Sequence, residues 1–331
     1  MEDLDTLVLR TAVAWQAQKG LPVVLVTVAR TWGSSPRPPG SLMALNGRGE
    51  TVGSVSGGCI EDDLIHRIRE GGVAAVCASG TPAVLRYGIS ADEAHRFGLP
   101  CGGTVELVLE PVAAHSRLAE LLQACQQRRS TERVLDLQNG QVELRDGQRD
   151  GVPRLSEQHL TTYLGPQARL ILIGAGDLSR FMAHMALSLG FEVVVCDPRE
   201  EHRATWQMDG VQVSHEMPDD LVLRLKPDAR TAVGAIGSRR HSALRRERLH
   251  THFDVSVQAL QHLHGPAGLY IGSKTPAEIA LSIMAEVVAA KNGVLTAAPL
   301  PVAEGKDAAL VEMTRPQPNP AKSVNTGGSL K

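Results

Sequence analysis

Apolar positions recur at helical spacing through residues 4–19, where Leu7, Leu9, Ala12, Val13 and Ala14 fall close to one face. Gly20 and Pro22 close that helix, glycine as its cap and proline because it cannot continue the hydrogen-bond ladder. The run VVLVTVA (23–29) is short, continuous and β-branched, the pattern of a buried strand. TWGSSPRPPG is a loop. Residues 42–45 and 52–55 flank NGRGE and predict a hairpin. SGGC then opens a helix over IEDDLIHRIREG, a strand follows at 105–109 before Pro111, and a helix spans 118–127. From 128 to 165 the sequence is charged, rich in Gly, Gln and Arg, and weakly periodic. It reads as a linker with a small hairpin across Asn139 and Gly140.

The pattern changes at Arg169. RLILIG predicts a strand, AGDLSRFMAHMALSLG a helix and FEVVVCDP a second strand, which together make a βαβ unit with a right-handed crossover and a parallel sheet. TAVGAIGS (231–238) predicts a further strand, and a helix over 277–290 closes the domain. Beyond residue 296 the chain is rich in Pro, Gly and Ser, the composition of a disordered tail. The expected fold is α/β: a Rossmann-like parallel-sheet domain (166–295) preceded by a smaller α+β, cysteine-bearing domain (1–127), with the linker at 128–165 and the tail at 296–331.

Composition narrows the function. The formal net charge is −2 and aromatic residues make up 3% of the 331 residues, so neither a basic field nor a stacking platform points to nucleic acid. The apolar runs are too short to span a bilayer and the acidic start, MEDLDTLVLR, is unlike a signal peptide. A cytoplasmic protein is expected. Five widely spread cysteines make no disulfide framework and no zinc spacing, so no metal site is expected.

Three places carry candidate chemistry. Gly174-Ala175-Gly176-Asp177-Leu178-Ser179 follows a strand and opens a helix; Gly174 permits the tight turn and Gly176 lets backbone approach a pyrophosphate at the positive helix end. Ser179 replaces the third glycine of the dinucleotide fingerprint. Asp197 ends the next strand, where an acid grips a ribose hydroxyl. The competing reading is a Rossmann fold without a ligand. Cys59, at a helix start behind Gly57 and Gly58, and Cys101, between Pro100 and Gly102, are candidate thiols for a soft metal or sulfur chemistry, against the alternative of small buried hydrophobes. Gly237, Ser238 and Arg239 form a second strand-to-helix loop suited to a phosphate. Thr275-Pro276-Ala277-Glu278 is a capping box, which makes Glu278 structural, and Glu286 reads as a surface glutamate.

SGGCIEDDL (56–64), GLPCGGTVELVLEP (98–111), LILIGAGDLS (170–179), GAIGSRR (234–240) and GLYIGSKTPAEIALSIMAEVVAAKNG (268–293) together resemble the successive blocks of the XdhC/CoxI family. The resemblance implies a non-enzymatic accessory protein that binds molybdenum cofactor, as the monophosphate or the dinucleotide. It implies support for cofactor sulfuration with a cysteine desulfurase, and insertion into a molybdenum hydroxylase of the xanthine dehydrogenase or aldehyde oxidase type. Cys59 and Cys101 become candidates for cofactor or sulfur handling, and the loops at Gly174, Gly176, Gly237, Ser238 and Arg239 for phosphate. A homodimer is compatible with this reading. One departure stands out. Family members follow a DARTAV-like strand with a Thr-His-Asp turn, a helix and another strand before the GALGS-like loop. Here Asp228-Ala229-Arg230-Thr231-Ala232-Val233 runs straight into Gly234, so about one βα unit is absent.

The rival from another class is an NAD(P)-dependent oxidoreductase, since the same βαβ unit accepts a nicotinamide dinucleotide. It needs a proton relay beside its substrate, and no Tyr/Lys or His/Asp pattern for one is recognisable in the sequence.

Overall fold

The structure is a computed structural model that describes residues 3–33, 37–77, 80–88, 103–147, 151–166, 168–225, 233–236, 238–253, 255–260 and 263–294. The chain forms two compact units, residues 1–231 with 272–284 and residues 232–271 with 285–331. The expected tail at 296–331 lies outside the described residues.

In the first unit, helix α1 (Leu4–Gln16) starts at Asp3, whose carboxylate accepts the Thr6 N–H at 2.8 Å. Strands β1 (Val23–Trp32), β2 (Leu42–Asn46), β3 (Thr51–Gly53), β4 (Ala83–Tyr87) and β5 (Thr104–Pro111) form an antiparallel sheet in the order β3-β2-β1-β5-β4. Central β1 is buried on both faces because both are covered. Val24, Val26 and Val28 pack with Ile60, Leu64 and Ile68 of helix α2 (Cys59–Gly71). Val23 and Leu25 pack with Val8, Leu9 and Ala12 of α1 and with Leu118 and Leu121 of helix α3 (Leu118–Gln126). The two-residue period of the strand thus sorts one apolar run into two cores.

Residues 128–165 correct the linker reading. They hold a second antiparallel sheet, order β7-β6-β9-β8, built from β6 (Thr131–Asp136), β7 (Val142–Asp146), β8 (Arg154–Leu155) and β9 (His159–Leu164). The alternation is present but chemically disguised: the inward positions of β6 are Thr131, Arg133 and Leu135, and those of β9 are Leu160, Thr162 and Leu164. Arg133 is buried because one of its terminal nitrogens, Nη2, donates to both oxygens of Glu110 on β5 at 2.7 Å. A charged residue facing inward hides a strand from any hydropathy pattern.

The same unit then contains β10 (Ala168–Ile173), helix α4 (Asp177–Ser188), β11 (Phe191–Cys196), β12 (Val211–Ser214) and helix α5 (Pro218–Leu225). The strands pair in parallel in the order β10-β11-β12, with Ile173 opposite Cys196 and Cys196 opposite Ser214. This is the expected βαβ unit, and the α/β class with its Rossmann-like parallel sheet and preceding α+β region is what the chain adopts.

The second unit holds β13 (Val233–Gly234), helix α6 (Arg239–Phe253), β14 (Leu263–His264) and the end of helix α7 (Pro276–Lys291). β13 and β14 pair in parallel, Gly234 opposite His264. Among the described residues of the strand expected over 231–238, β13 is the paired part and Ser238 caps α6: its Oγ accepts the His241 N–H at 3.2 Å. The parallel strands fall into a sheet of three, β10-β11-β12, and a sheet of two, β13-β14.

Candidate functional site

Cys59 is exposed and is the first residue of α2. The turn before it needs glycine. Gly57 has φ +100° and Gly58 has φ +148°, conformations that side-chain-bearing residues rarely adopt. What holds this turn is Glu61, which is buried. Its Oε1 accepts the Ser54 hydroxyl at 2.7 Å and the N–H groups of Val55, Ser56 and Gly57 at 2.8, 2.9 and 3.1 Å. Its Oε2 accepts the Ser56 hydroxyl and, at 2.9 Å, the Gly58 N–H. Burial by itself pushes the Glu61 carboxyl up; the hydroxyls of Ser56 and Ser54 and the Ser56 N–H outweigh it and hold the group well below the usual carboxylate range. Two residues further on, Asp63 accepts the Tyr87 hydroxyl at 2.9 Å and pairs with Arg67 at 2.8 Å, which ties α2 to the end of β4.

Glu61 was legible only as an acid at a helix start. Its spacing from Gly58 is that of a capping box, the pattern also present at Thr275 and Glu278, where Glu278 Oε2 accepts the Thr275 N–H at 2.9 Å. Cys101 lies outside the described residues. Burial pushes the thiols of Cys77 and Cys125 up to about 12 and also raises that of Cys196, which leaves Cys59 as the exposed thiol among the described cysteines.

In the Rossmann-like part, Gly174 turns the chain after β10 with φ +105°, and neither Gly174 nor Gly176 has a neighbour within 4 Å of where a Cβ would stand. The turn is fastened from every other side. The Gly174 N–H donates to the Cys196 carbonyl at 2.8 Å, and its carbonyl accepts the Ser179 hydroxyl at 2.6 Å. Ser179, standing at the fingerprint's third glycine, thus closes the turn with its side chain. The Ala175 N–H donates to Asp197 Oδ2 at 3.0 Å, and the Ala175 carbonyl accepts the Trp206 indole N–H at 2.9 Å. Gly176 caps α4 without a side chain, so no N-cap side chain covers the N–H groups of that helix's first turn.

Asp197 ends next to that turn but faces inward. It is 1% exposed, and Arg199 grips both its oxygens, Nε to Oδ1 and Nη2 to Oδ2, each at 2.9 Å. The Arg199 guanidinium, against the opposing effect of burial and with the Ala175 and Arg199 N–H groups, holds the carboxyl well below its usual range. The carboxylate therefore fixes the glycine turn and presents a half-exposed guanidinium beside it. Ser238 is exposed at the start of α6; Gly237 and the Arg239 side chain lie outside what the structure describes.

Two family models match the chain. The model described as the XdhC and CoxI family matches residues 16–88, and that of the XdhC Rossmann domain matches residues 170–287. The chain belongs to the XdhC/CoxI family. Two relatives extend the match over most of the chain. The protein named "Molybdenum cofactor insertion chaperone PaoD" from Escherichia coli (strain K12) is 28% identical over 300 residues, 86% of this chain and 88% of its own length. A probable xanthine dehydrogenase subunit from Bacillus subtilis (strain 168) is 25% identical over 326 residues, 82% of this chain and 94% of its own. The fold is shared with a crystal structure of a xanthine dehydrogenase from Bacillus halodurans, at 24% identity and a TM-score of 0.59, covering 90% of this chain and 98% of that one. Among the described residues of this XdhC/CoxI chain, no group of three or more His, Cys, Asp or Glu side chains is placed to hold a metal ion. No helix among them is long and apolar enough to cross a membrane.

Proposed function

We propose that this chain binds molybdenum cofactor and hands it to a molybdenum hydroxylase of the xanthine dehydrogenase or aldehyde oxidase type, as an accessory protein of the cytoplasm. The observation that carries the reading is the pairing, in one XdhC/CoxI chain, of an exposed thiol on a glycine turn with an open Rossmann-type turn. The cargo has matching parts. Its phosphate or pyrophosphate suits the uncapped first turn of α4 beside Arg199, and its molybdenum and sulfur suit a soft thiolate. Cys59 and Cys101 are the thiols assigned to cofactor and sulfur handling. Gly174 and Gly176 give access to a phosphate, Asp197 fixes their turn and Arg199, and Gly237, Ser238 and Arg239 form the second phosphate loop. The name of the PaoD relative points to the same role. A cysteine desulfurase is the proposed source of sulfur, and a homodimer the proposed assembly.

Equilibrium dialysis against cofactor released from a molybdoenzyme tests the reading, followed by transfer to an apo molybdenum hydroxylase. Near-stoichiometric retention and activation of the target are expected. Retention no better than that of an unrelated Rossmann protein overturns it, and NADH binding with hydride transfer supports the oxidoreductase in its place.

A further inference from the structure

Glu286, expected on the surface of α7, is instead 17% exposed and turned onto a histidine. Its Oε1 lies 2.9 Å from Nδ1 of His264, and its Oε2 accepts the Gly268 N–H at 2.6 Å. His264 is the last residue of β14, and the loop it opens is fixed on its backbone edge as well. The Ala235 N–H donates to the His264 carbonyl at 2.8 Å, and the Ala235 carbonyl accepts the Ala267 N–H at 3.0 Å. Beside it, Ser242 is buried and its hydroxyl has no partner among the described residues; a Cβ on Gly265 would come within 2.9 Å of that oxygen. All these residues belong to the second unit.

The geometry of the pair selects the tautomer of the neutral ring. An ionised carboxylate only accepts, so the hydrogen on the neutral ring sits on Nδ1 and the lone pair on Nε2. No described group hydrogen-bonds Nε2, and the ring is 28% exposed, so solvent or a ligand reaches it. A carboxylate holding one ring nitrogen so that the other is presented is the orienting arrangement of acid–base and ligand-binding histidines. Among the described residues no group of three or more His, Cys, Asp or Glu surrounds the ring, so the pair does not make a metal site. Its position is also the one where α/β sheets hold ligands, at the carboxyl ends of parallel strands. The Ser238 loop leaves the neighbouring strand at the same end.

We propose that His264, with Glu286 as its positioning residue, is the ligand-facing group of a site at the carboxyl ends of β13 and β14, where Nε2 accepts a hydrogen bond from the N–H or O–H edge of a heterocyclic phosphate. The ester phosphate of that ligand is seated at the Ser238 loop, the second phosphate loop of the carrier reading, as an alternative seat to the first turn of α4. The inference rests on the cofactor-carrier reading, because the pterin phosphate of the cargo has both parts: a ring with N–H donors and an anionic ester. Binding removes the hydrated lone pair of Nε2 from water and replaces it with a ligand donor.

The test uses the full chain labelled with 15N-histidine, the His264 signals being assigned from a His264→Gln variant, and cofactor released from a molybdoenzyme as the probe. Long-range 1H–15N spectra at pH 8 should show the Nδ1–H tautomer for His264 in the wild type and a mixture of tautomers in Glu286→Ala. Adding cofactor should shift Nε2. Retention in equilibrium dialysis should fall about ten-fold in His264→Gln and in Glu286→Ala, with far-UV circular dichroism unchanged. A wild-type chain that retains cofactor with no shift at Nε2, and with retention unaltered by His264→Gln, overturns this site and leaves the carrier reading standing. A wild-type chain that retains no cofactor overturns both.

Discussion

Glu61 and Gly58 are joined by a 2.9 Å hydrogen bond from the glycine N–H to Oε2, so the acid three residues after the turn is the group that shapes it. Replacing this carboxylate with an amide leaves a donor facing donors. Glu61→Gln should lower stability by about 2–4 kcal/mol at neutral pH. Folding lowers the pKa of this carboxyl, so its contribution is complete above the ordinary glutamate range, near about 4.3, and fades as the pH falls below it. The gap between wild-type and variant urea midpoints should therefore narrow from pH 7 to pH 3. A gap of the same size at both values would show that the charge of Glu61 is not what holds the turn.

Thiol labelling should single out Cys59. In a Cys101→Ser background at pH 8, one thiol should react rapidly with an aromatic disulfide reagent, and Cys59→Ser should abolish that phase. Cys77 and Cys125, pushed up to about 12 by burial, should label only on unfolding. Cys59→Ser should fold normally and fail to activate an apo molybdenum hydroxylase. Wild-type activation by the folded variant would show that the Cys59 thiol takes no part in handling the cofactor.

Asp197→Ala frees Arg199 and the Ala175 N–H together, so the glycine turn loses its anchor and the guanidinium beside the proposed anion site is no longer held in place. Retention of the monophosphate and dinucleotide forms of the cofactor should fall alike, about ten-fold or more. A loss confined to the dinucleotide form would show that the carboxylate contacts the ribose directly.

Arg133 and Glu110 are each 3% exposed, and their pair joins the two antiparallel sheets. Glu110→Ala strands a buried guanidinium and should cost about 3–5 kcal/mol in chemical denaturation. The double variant Glu110→Leu with Arg133→Met removes both charges and should recover most of that loss. Equal destabilisation by the single and double changes would mean that packing volume, not the unpaired charge, sets the cost.

Much of this was written locally. The βαβ unit announces itself because both strands are apolar runs and the intervening glycines mark the turn, and the SGGC helix start and the capping box at Thr275 are equally local signals. Short-range geometry decides these features, so residue spacing reports them. The second antiparallel sheet was hidden because Thr131, Arg133 and Thr162 occupy inward positions, and Arg133 becomes an inward residue only once Glu110 is opposite it.

Local residue spacing was enough for the α/β class, the family, the glycine turn at Gly174 and the exposed thiol position at Cys59, since each depends on neighbours a few residues apart. Tertiary structure decided what the acids do. Asp197 turned inward to the Ala175 N–H, 22 residues away, and Glu286 onto His264, also 22 residues away. A carboxylate accepts hydrogen bonds from any donor that folding brings to it, and its partner is fixed by the packing of whole elements, which no local pattern of residues encodes.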